Sequence, residues 1–442
     1  MCPVVWRNWA RTASADPELV ARPESDEEVA ALVRWAAARG TRVRAVGAGH
    51  SFTDCAVTDG VLLDLDAMDG VEHVGPPAPD GSREVRVGAG IRLHRLCREL
   101  AARGLALENM GDIDRQSIAG AISTGTHGTG ARLGGFATQV RAVRLVTAAG
   151  DVVEADATRH PEVFELARLG LGTAGVVTAV TLRVVPAFTL EAHEAPRPLA
   201  EVLEAIEPTD GSGLVDAHDH VEFYWFPYTD VALTKINDRA GTGAGPLHPL
   251  RRLLDDEILS NGALTLTTEL CASVRAFTPT INRVAARALG ERRYTAPSYE
   301  VFTSPRRVVF REMEYAIPRD RVVPALREVD AWLRRTGENV PFPVEVRFAA
   351  ADDVWLSTAH GRDTAYVAVH QARRLPYARY FRAVEAIMTE HAGRPHWGKL
   401  HRRRAEDLAA LYPRFDDACR VRDAVDPDRV FGNAYTERVL GR

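Results

Sequence analysis

The chain has 442 residues, more than one ordinary core accommodates, so two domains are expected. Its hydrophobic share of 46% and charged share of 26% are those of a globular protein, and a formal net charge of -5 argues against a nucleic-acid binder and for a small-molecule or protein partner. Cys2, Cys55, Cys97, Cys271 and Cys419 are odd in number and scattered without metal-type spacing, which predicts a reducing compartment and no disulfide framework.

The N-terminal stretch MCPVVWRNWARTASADP lacks the long apolar core of a signal peptide, and no run approaches the roughly 18 consecutive apolar residues of a membrane span. A cytoplasmic protein is expected, with peripheral association at a membrane surface left open. Ser25-Asp26-Glu27-Glu28 opens the first clear helix as a capping box; Val29, Leu32, Val33 and Ala36 form its apolar stripe and Gly40 ends it. Residues 41–46 read as a strand in which Val43 alternates with Arg42 and Arg44. It runs into Val46-Gly47-Ala48-Gly49-His50-Ser51-Phe52-Thr53, where two glycines let the backbone turn and approach a ligand closely. The histidine there is either a solvated turn residue or a nucleophile beside a bound cofactor.

Strands are expected at 61–65 and 85–87, separated by the turn-rich loop 75–81, and an amphipathic helix at 91–103 closed by Gly104. The segment SIAGAISTGTHGTG (117–130) is small, apolar and glycine-dense. It is either a flexible loop or a bed on which another molecule lies against backbone N–H groups. Its G-x-x-G-x-G spacing lacks the strand–turn–helix context of a nicotinamide site. A hairpin follows at 140–153, then a helix at 162–169 and a long strand at 176–185 stopped by Pro186. Beyond Pro186 the strands become longer and more aromatic, as at 221–226, 312–317, 344–348 and 365–372, with helices at 319–335 and 377–391. Residues 239–246 read as a mobile loop. The domain boundary is placed near Pro186.

Three places in this second half carry chemistry. In the strand 344–348, alternation puts Glu345 and Arg347 on one face, either as a solvated sheet face or as a patch that binds a polyol or sugar. His370 ends an apolar run, as a satisfied core histidine or as a general base in a closed pocket. Lys399 lies in the loop His396-Trp397-Gly398-Lys399 and is one of only two lysines, with Lys235, among 55 Lys+Arg. In a chain that meets its positive-charge needs with arginine, a lysine beside tryptophan and glycine suggests a compact ammonium that stabilises developing negative charge.

Taken together, VGAGHSFTD (46–54), SIAGAISTGTHGTG (117–130), EMEYAIPR (312–319), VEVRFAAADDVWLS (344–357) and RPHWGKLH (394–401) make the chain resemble the aldonolactone oxidoreductases, which include gulono- and arabinono-lactone oxidases. These belong to the vanillyl-alcohol-oxidase-type flavoproteins, and the bacterial alditol oxidases are similar in the same segments. The resemblance implies an α+β fold of two domains. An FAD-binding domain would span 1–186, a cap domain built on an antiparallel sheet 187–405, and a tail packing back on the FAD domain 406–442. It implies FAD as cofactor, joined covalently through His50 to the flavin C8 methyl. Gly47, Ala48, Gly49 and Ser51 would line the pyrophosphate or ring. Ser117, Gly120, Ser123, Gly125, Thr126, His127 and Gly128 would cradle the isoalloxazine and diphosphate, with Val176 or Val177 on the adenosine part. Glu345, Arg347, His370 and Lys399 would bind and activate a sugar hydroxyl, Lys399 lying near flavin N1 and C2=O. The implied reaction removes the hydroxyl proton and passes hydride to flavin N5, with O2 or another acceptor reoxidising the flavin. Alditol oxidases carry a hydroxyl residue where this chain has Ala372, which favours a lactone over an open polyol. The alternatives are an alditol or secondary-metabolite sugar oxidase, and a flavin-binding scaffold without turnover.

Overall fold

Three larger sheets and a two-stranded pair of Trp6–Arg7 with Ser14–Ala15 carry the chain in a computed structural model, which describes residues 5–240, 245, 278–304 and 308–442. A small parallel sheet has the order Leu19–Ala21, Val61–Asp64, Val43–Val46. Beside it, an antiparallel sheet runs Val152–Asp156, Val140–Val146, Val176–Pro186, Arg83–Gly88, Val71–Val74, with Leu105–Ala106 also paired to Val176–Pro186. The second half forms an eight-stranded antiparallel sheet in the order Arg292–Pro297, Thr189–Pro198, Val231–Arg239, His220–Trp225, Val344–Ala349, Thr364–Ala372, Phe310–Pro318, Arg394–Pro395. The architecture is the expected α+β class. Among the described residues, no helix is long and apolar enough to cross a membrane.

Alternation decides which face of the large sheet is buried in hydrophobic packing. Val344, Val346 and Phe348 join Met313, Tyr315, Val367 and Val369 beneath the helices Val322–Thr336 and Ala378–Glu390. The residues between them (Glu312, Glu314, Glu345, Arg347 and His370) therefore face the other way, toward the FAD-binding half. The first core joins Val29, Val87 and Leu182 to Trp355 and Trp397 from the second half and to Phe415, Val421 and Phe431 from the tail. Each such side chain contributes about 1.5–3 kcal/mol by leaving water.

Several local expectations change on folding. Ser25 caps the first helix by accepting from the Glu28 amide at 3.3 Å, while Glu28 reaches back to the Glu24 amide rather than to Ser25. Arg44 is buried, not outward: its guanidinium donates to the Leu171 and Phe431 carbonyls at 2.7 and 2.6 Å, because the C-terminal tail covers that side of its strand. The segment 117–130 is not a plain loop, since Ile118–Ser123 is a short helix capped by the Ser117 hydroxyl. The helix at 319–335 begins as a 3-10 turn over Arg319–Arg321. The loop at 239–246 lies largely outside the described residues. Strands at Thr189–Pro198, Val231–Arg239 and Arg292–Pro297 are additions, as are the tail helices Ala405–Ala409, Phe415–Val425 and Ala434–Leu440.

Asn433 is one of the side chains that fasten the tail beside the Gly47–His50 turn. Asn433 accepts from the Thr436 amide at 2.9 Å as helix N-cap, and its Nδ2 donates to the carbonyls of Asp54, Cys55 and Val57 at 2.9, 3.2 and 2.9 Å. Asn433→Ala is expected to destabilise the protein by about 3 kcal/mol, through a lost cap and buried unsatisfied carbonyls. Urea unfolding measures this; a change below about 0.5 kcal/mol would mean the tail is held by its other contacts, such as Arg42 with Glu437 and Arg44 with the Phe431 carbonyl.

Candidate active site

The strand Val43–Val46 delivers the glycine turn to the surface of a cavity. A Cβ on Gly47 would sit 2.1 Å from Ser117 Oγ, and Gly49 has φ +64 with the Trp6 ring 3.2 Å from where its Cβ would be. Neither position admits another residue without strain. The turn so shaped leaves the backbone amides of Gly47 through Ser51 donating to no oxygen among the described residues. Two polar side-chain atoms beside them, His50 Nδ1 and Arg92 Nη1, are buried without a partner. Ala48, Ser51, Ser117, Gly120, Ser123, Val176 and Val177 line the same cavity, together with Gly175 and with Phe431 of the tail. A row of open amides, a spare guanidinium edge and small walls fit a diphosphate-bearing dinucleotide such as FAD.

His50 stands where this cavity meets a second one. Burial, reinforced by Lys399 and then Arg92, pushes its pKa down to about 4, so the imidazole is neutral at neutral pH. A neutral imidazole with an unpartnered nitrogen is the form able to attack an electrophilic methylene group.

The second cavity collects Glu345, Arg347, His370 and Lys399 with His50, Ser51, Thr126 and His127. Arg347 spends Nη2 on Glu345 at 2.5 Å and Nε on Glu222 at 2.7 Å, which fixes the guanidinium plane. The guanidinium so held lines the cavity. The Tyr224 hydroxyl lies 3.4 Å from both Glu222 and Glu345. His370 Nδ1 faces the Pro343 carbonyl at 3.3 Å; a carbonyl only accepts, so Nδ1 carries a proton, and in the neutral ring the lone pair is on Nε2. That Nε2 sits 3.6 Å from Glu312 and 3.8 Å from Glu345, where an imidazolium would be stabilised by both.

Lys399 is far from an exposed loop lysine. Its Nζ lies 2.5 Å from Glu312 and 5.1 Å from the centroid of the Phe52 ring. Burial alone would raise the Glu312 carboxyl, yet Lys399 and then His370 hold it well below the ordinary carboxylate range. Glu312 pairs with His370 across neighbouring strands and is absent from the sequence-predicted set, although the EMEYAIPR motif contains it. Its neighbour on the same face, Glu314, receives His127 Nε2 at 2.8 Å, while His127 Nδ1 meets the Gly128 carbonyl and the ring stacks on Tyr366.

His127, Glu314 and His396 bring their ligand-type atoms within 4.8 Å of one another. They do not make a metal site, because His396 Nδ1 accepts from the Gly398 amide at 2.9 Å and a neutral ring must then carry its proton on Nε2. Burial pushes His396 down to about 4, which keeps that ring neutral. The trio is a hydrogen-bonding wall.

Not every predicted cradle residue lines these two cavities. Gly125 serves a turn at φ +75, and Gly128 is needed because a Cβ would lie 2.2 Å from the Met110 carbonyl and 2.3 Å from Asn109. Ala372 packs in an apolar cluster with Phe52, Phe310 and Phe342, of which Phe52 and Phe310 also line the reaction cavity. Beyond Glu312 and Glu314, the sequence reading missed Glu222 and Lys235, whose roles depend on strand register.

The fold superposes on the crystal structure of cholesterol oxidase from B. sterolicum with a TM-score of 0.82, covering 99% of this chain and 96% of that one at 19% identity. Over residues 180–439 the chain matches the D-arabinono-1,4-lactone oxidase family model, and over residues 17–156 an FAD binding domain. It is 44% identical over 437 residues to L-gulono-1,4-lactone dehydrogenase of Mycobacterium tuberculosis, covering 99% of each chain. It is 35% identical to L-gulonolactone oxidase of Bos taurus, covering 99% of this chain and 98% of the relative. Alditol oxidase of a Streptomyces species is 33% identical, with 98% of each chain covered. With a cavity built for a dinucleotide and a polar reaction chamber beside it, the chain belongs to the D-arabinono-1,4-lactone oxidase family of FAD-dependent oxidoreductases.

Proposed function

We propose that the enzyme oxidises a hydroxyl of a sugar-derived lactone of the gulono-, arabinono- or galactono-1,4-lactone type, and that O2 or another acceptor completes the cycle. The observation that carries this reading is the convergence of Glu345, Arg347, His370 and Lys399 on one cavity that opens beside His50. When bound, FAD supplies the two-electron acceptor for the hydride. In the proposed chemistry, Arg347 donates from its open edge to substrate oxygens, while Glu345 accepts from a neighbouring hydroxyl and holds the guanidinium. His370 Nε2 takes the hydroxyl proton, and the resulting imidazolium rests between Glu312 and Glu345. Lys399, held by Glu312, brings a positive charge to the cavity wall where negative charge accumulates on reduction.

In this reading residues 1–186 hold the cofactor, 187–405 the substrate, and 406–442 close the cofactor side. A cytoplasmic location is supported by the free thiols of Cys55, Cys97 and Cys419. His50 is the proposed covalent anchor, for which its neutral, unpartnered nitrogen speaks. Acid-precipitated wild type should keep its yellow colour and His50→Ala should release it; full release from wild type would leave FAD bound only noncovalently. An anaerobic screen of aldonolactones and alditols tests the substrate class by bleaching of the flavin. Readmitted air then separates an oxidase, which yields hydrogen peroxide, from a dehydrogenase, whose flavin stays reduced. Bleaching by alditols but not by lactones would favour the polyol reading.

A further inference from the structure

Lys235, the second lysine of the chain, is buried in the large sheet, distant in sequence from every motif of the site. Its place is set by register. Arg292 pairs with Glu194, Glu194 with Lys235, and Lys235 with Glu222 across four consecutive strands. One residue beyond the Phe223–Val346 pair, Glu222 then meets Arg347 on the fifth strand. Along this row the charges alternate in sign. Arg292 holds Glu194 through two bonds of 2.7 and 2.9 Å, Lys235 Nζ is 3.2 Å from Glu222, and Glu222 is 2.7 Å from Arg347 Nε. Glu222 and Lys235 do not touch the reaction cavity; they line a small polar chamber behind it, and Arg347 lines both.

We propose that Lys235 is a positioning residue for substrate recognition, acting on Arg347 through Glu222. Arg347 lies between two carboxylates, Glu345 and Glu222, and shares both chambers with a third, Asp112, so the acids around it outweigh its single charge. Lys235 shares the charge of Glu222 from the far side, so Arg347 keeps a positive outer edge toward the cavity. It also holds Glu222 in the rotamer that grips Arg347 Nε, so the guanidinium keeps its place on the cavity wall. The site favours a compact ammonium, because the carboxylates of Glu194 and Glu222 flank it from the neighbouring strands. Although burial opposes charge there, Glu222 and then Glu194 hold the Lys235 ammonium above its ordinary range, so it is charged at working pH. The substrate class favoured by this edge is a molecule with vicinal oxygens, one of which accepts from the guanidinium.

This inference rests on the proposed lactone oxidation, and the test separates the two. In the FAD-loaded enzyme, Lys235→Met should lower kcat/KM for a lactone at least tenfold, mostly through KM, with flavin content unchanged. In an Arg347→Lys background the same substitution should cost less than twofold, because its route of action is already broken. Equal losses in both backgrounds, or an unchanged kcat/KM in the single variant, would overturn the positioning role while leaving the lactone reading intact. A wild type inert toward every lactone would overturn both. Should Lys235→Met fail to fold, Lys235→Gln keeps a polar partner for Glu222 without the charge. That variant should show the same rise in KM, and a wild-type KM would refute the proposal.

Discussion

Arg347→Met should lower kcat/KM for an aldonolactone by about 1,000-fold, the loss expected when a preorganised donor to a charge-developing oxygen is removed. The same change strands the carboxylates of Glu222 and Glu345, which are 4% and 5% exposed, without their shared cation. Breaking a buried ion pair by removing one partner costs about 3–5 kcal/mol, so a lower melting temperature should accompany the kinetic defect. Arg347→Lys separates the two effects. It keeps the charge but loses the fork that reaches two carboxylates and the cavity at once, so stability should recover more than activity. Steady-state kinetics on samples matched for flavin content measure the split. An Arg347→Met enzyme within tenfold of wild type would remove this residue from the substrate site.

The second large effect concerns proton transfer. His370→Asn should lower kcat by about 100- to 10,000-fold, the range for loss of a general base, while changing KM little. Asparagine retains a donor for the Pro343 carbonyl and leaves no basic nitrogen between Glu312 and Glu345. A variant that reduces flavin at the wild-type rate would move the base to another group, with Glu312 the first to substitute next.

Local chemistry made part of this site readable in advance. Two-residue alternation in Val344–Ala349 is enough to put Glu345 and Arg347 on one face, and the scarcity of lysine drew attention to Lys399. The glycine turn before His50 was legible because positive φ and close approach leave few other residues possible. What stayed hidden depends on separation. Arg347 meets Glu222 across 125 residues, and Glu314 meets His127 across 187. No local pattern encodes which strand lies beside which, so the scarcity that marked Lys235 and the motif that contains Glu312 and Glu314 gave these residues no role, and Glu222 carried no signal at all. Arg44 failed for a related reason: an alternating arginine reads as outward until the tail, nearly 400 residues on, supplies a carbonyl to it across 387 residues.

In the proposed reaction a hydroxyl-bearing carbon of a sugar lactone gives up hydride within this cavity. Anaerobic rapid mixing of the FAD-loaded enzyme with gulono-1,4-lactone, carrying protium or deuterium at the oxidised carbon, tests this through flavin absorbance. The expected result is full bleaching that is slower with deuterium, and bleaching that is nearly abolished in His370→Asn. Flavin that stays oxidised with every aldonolactone, or is reduced equally fast by wild type and His370→Asn, would contradict it.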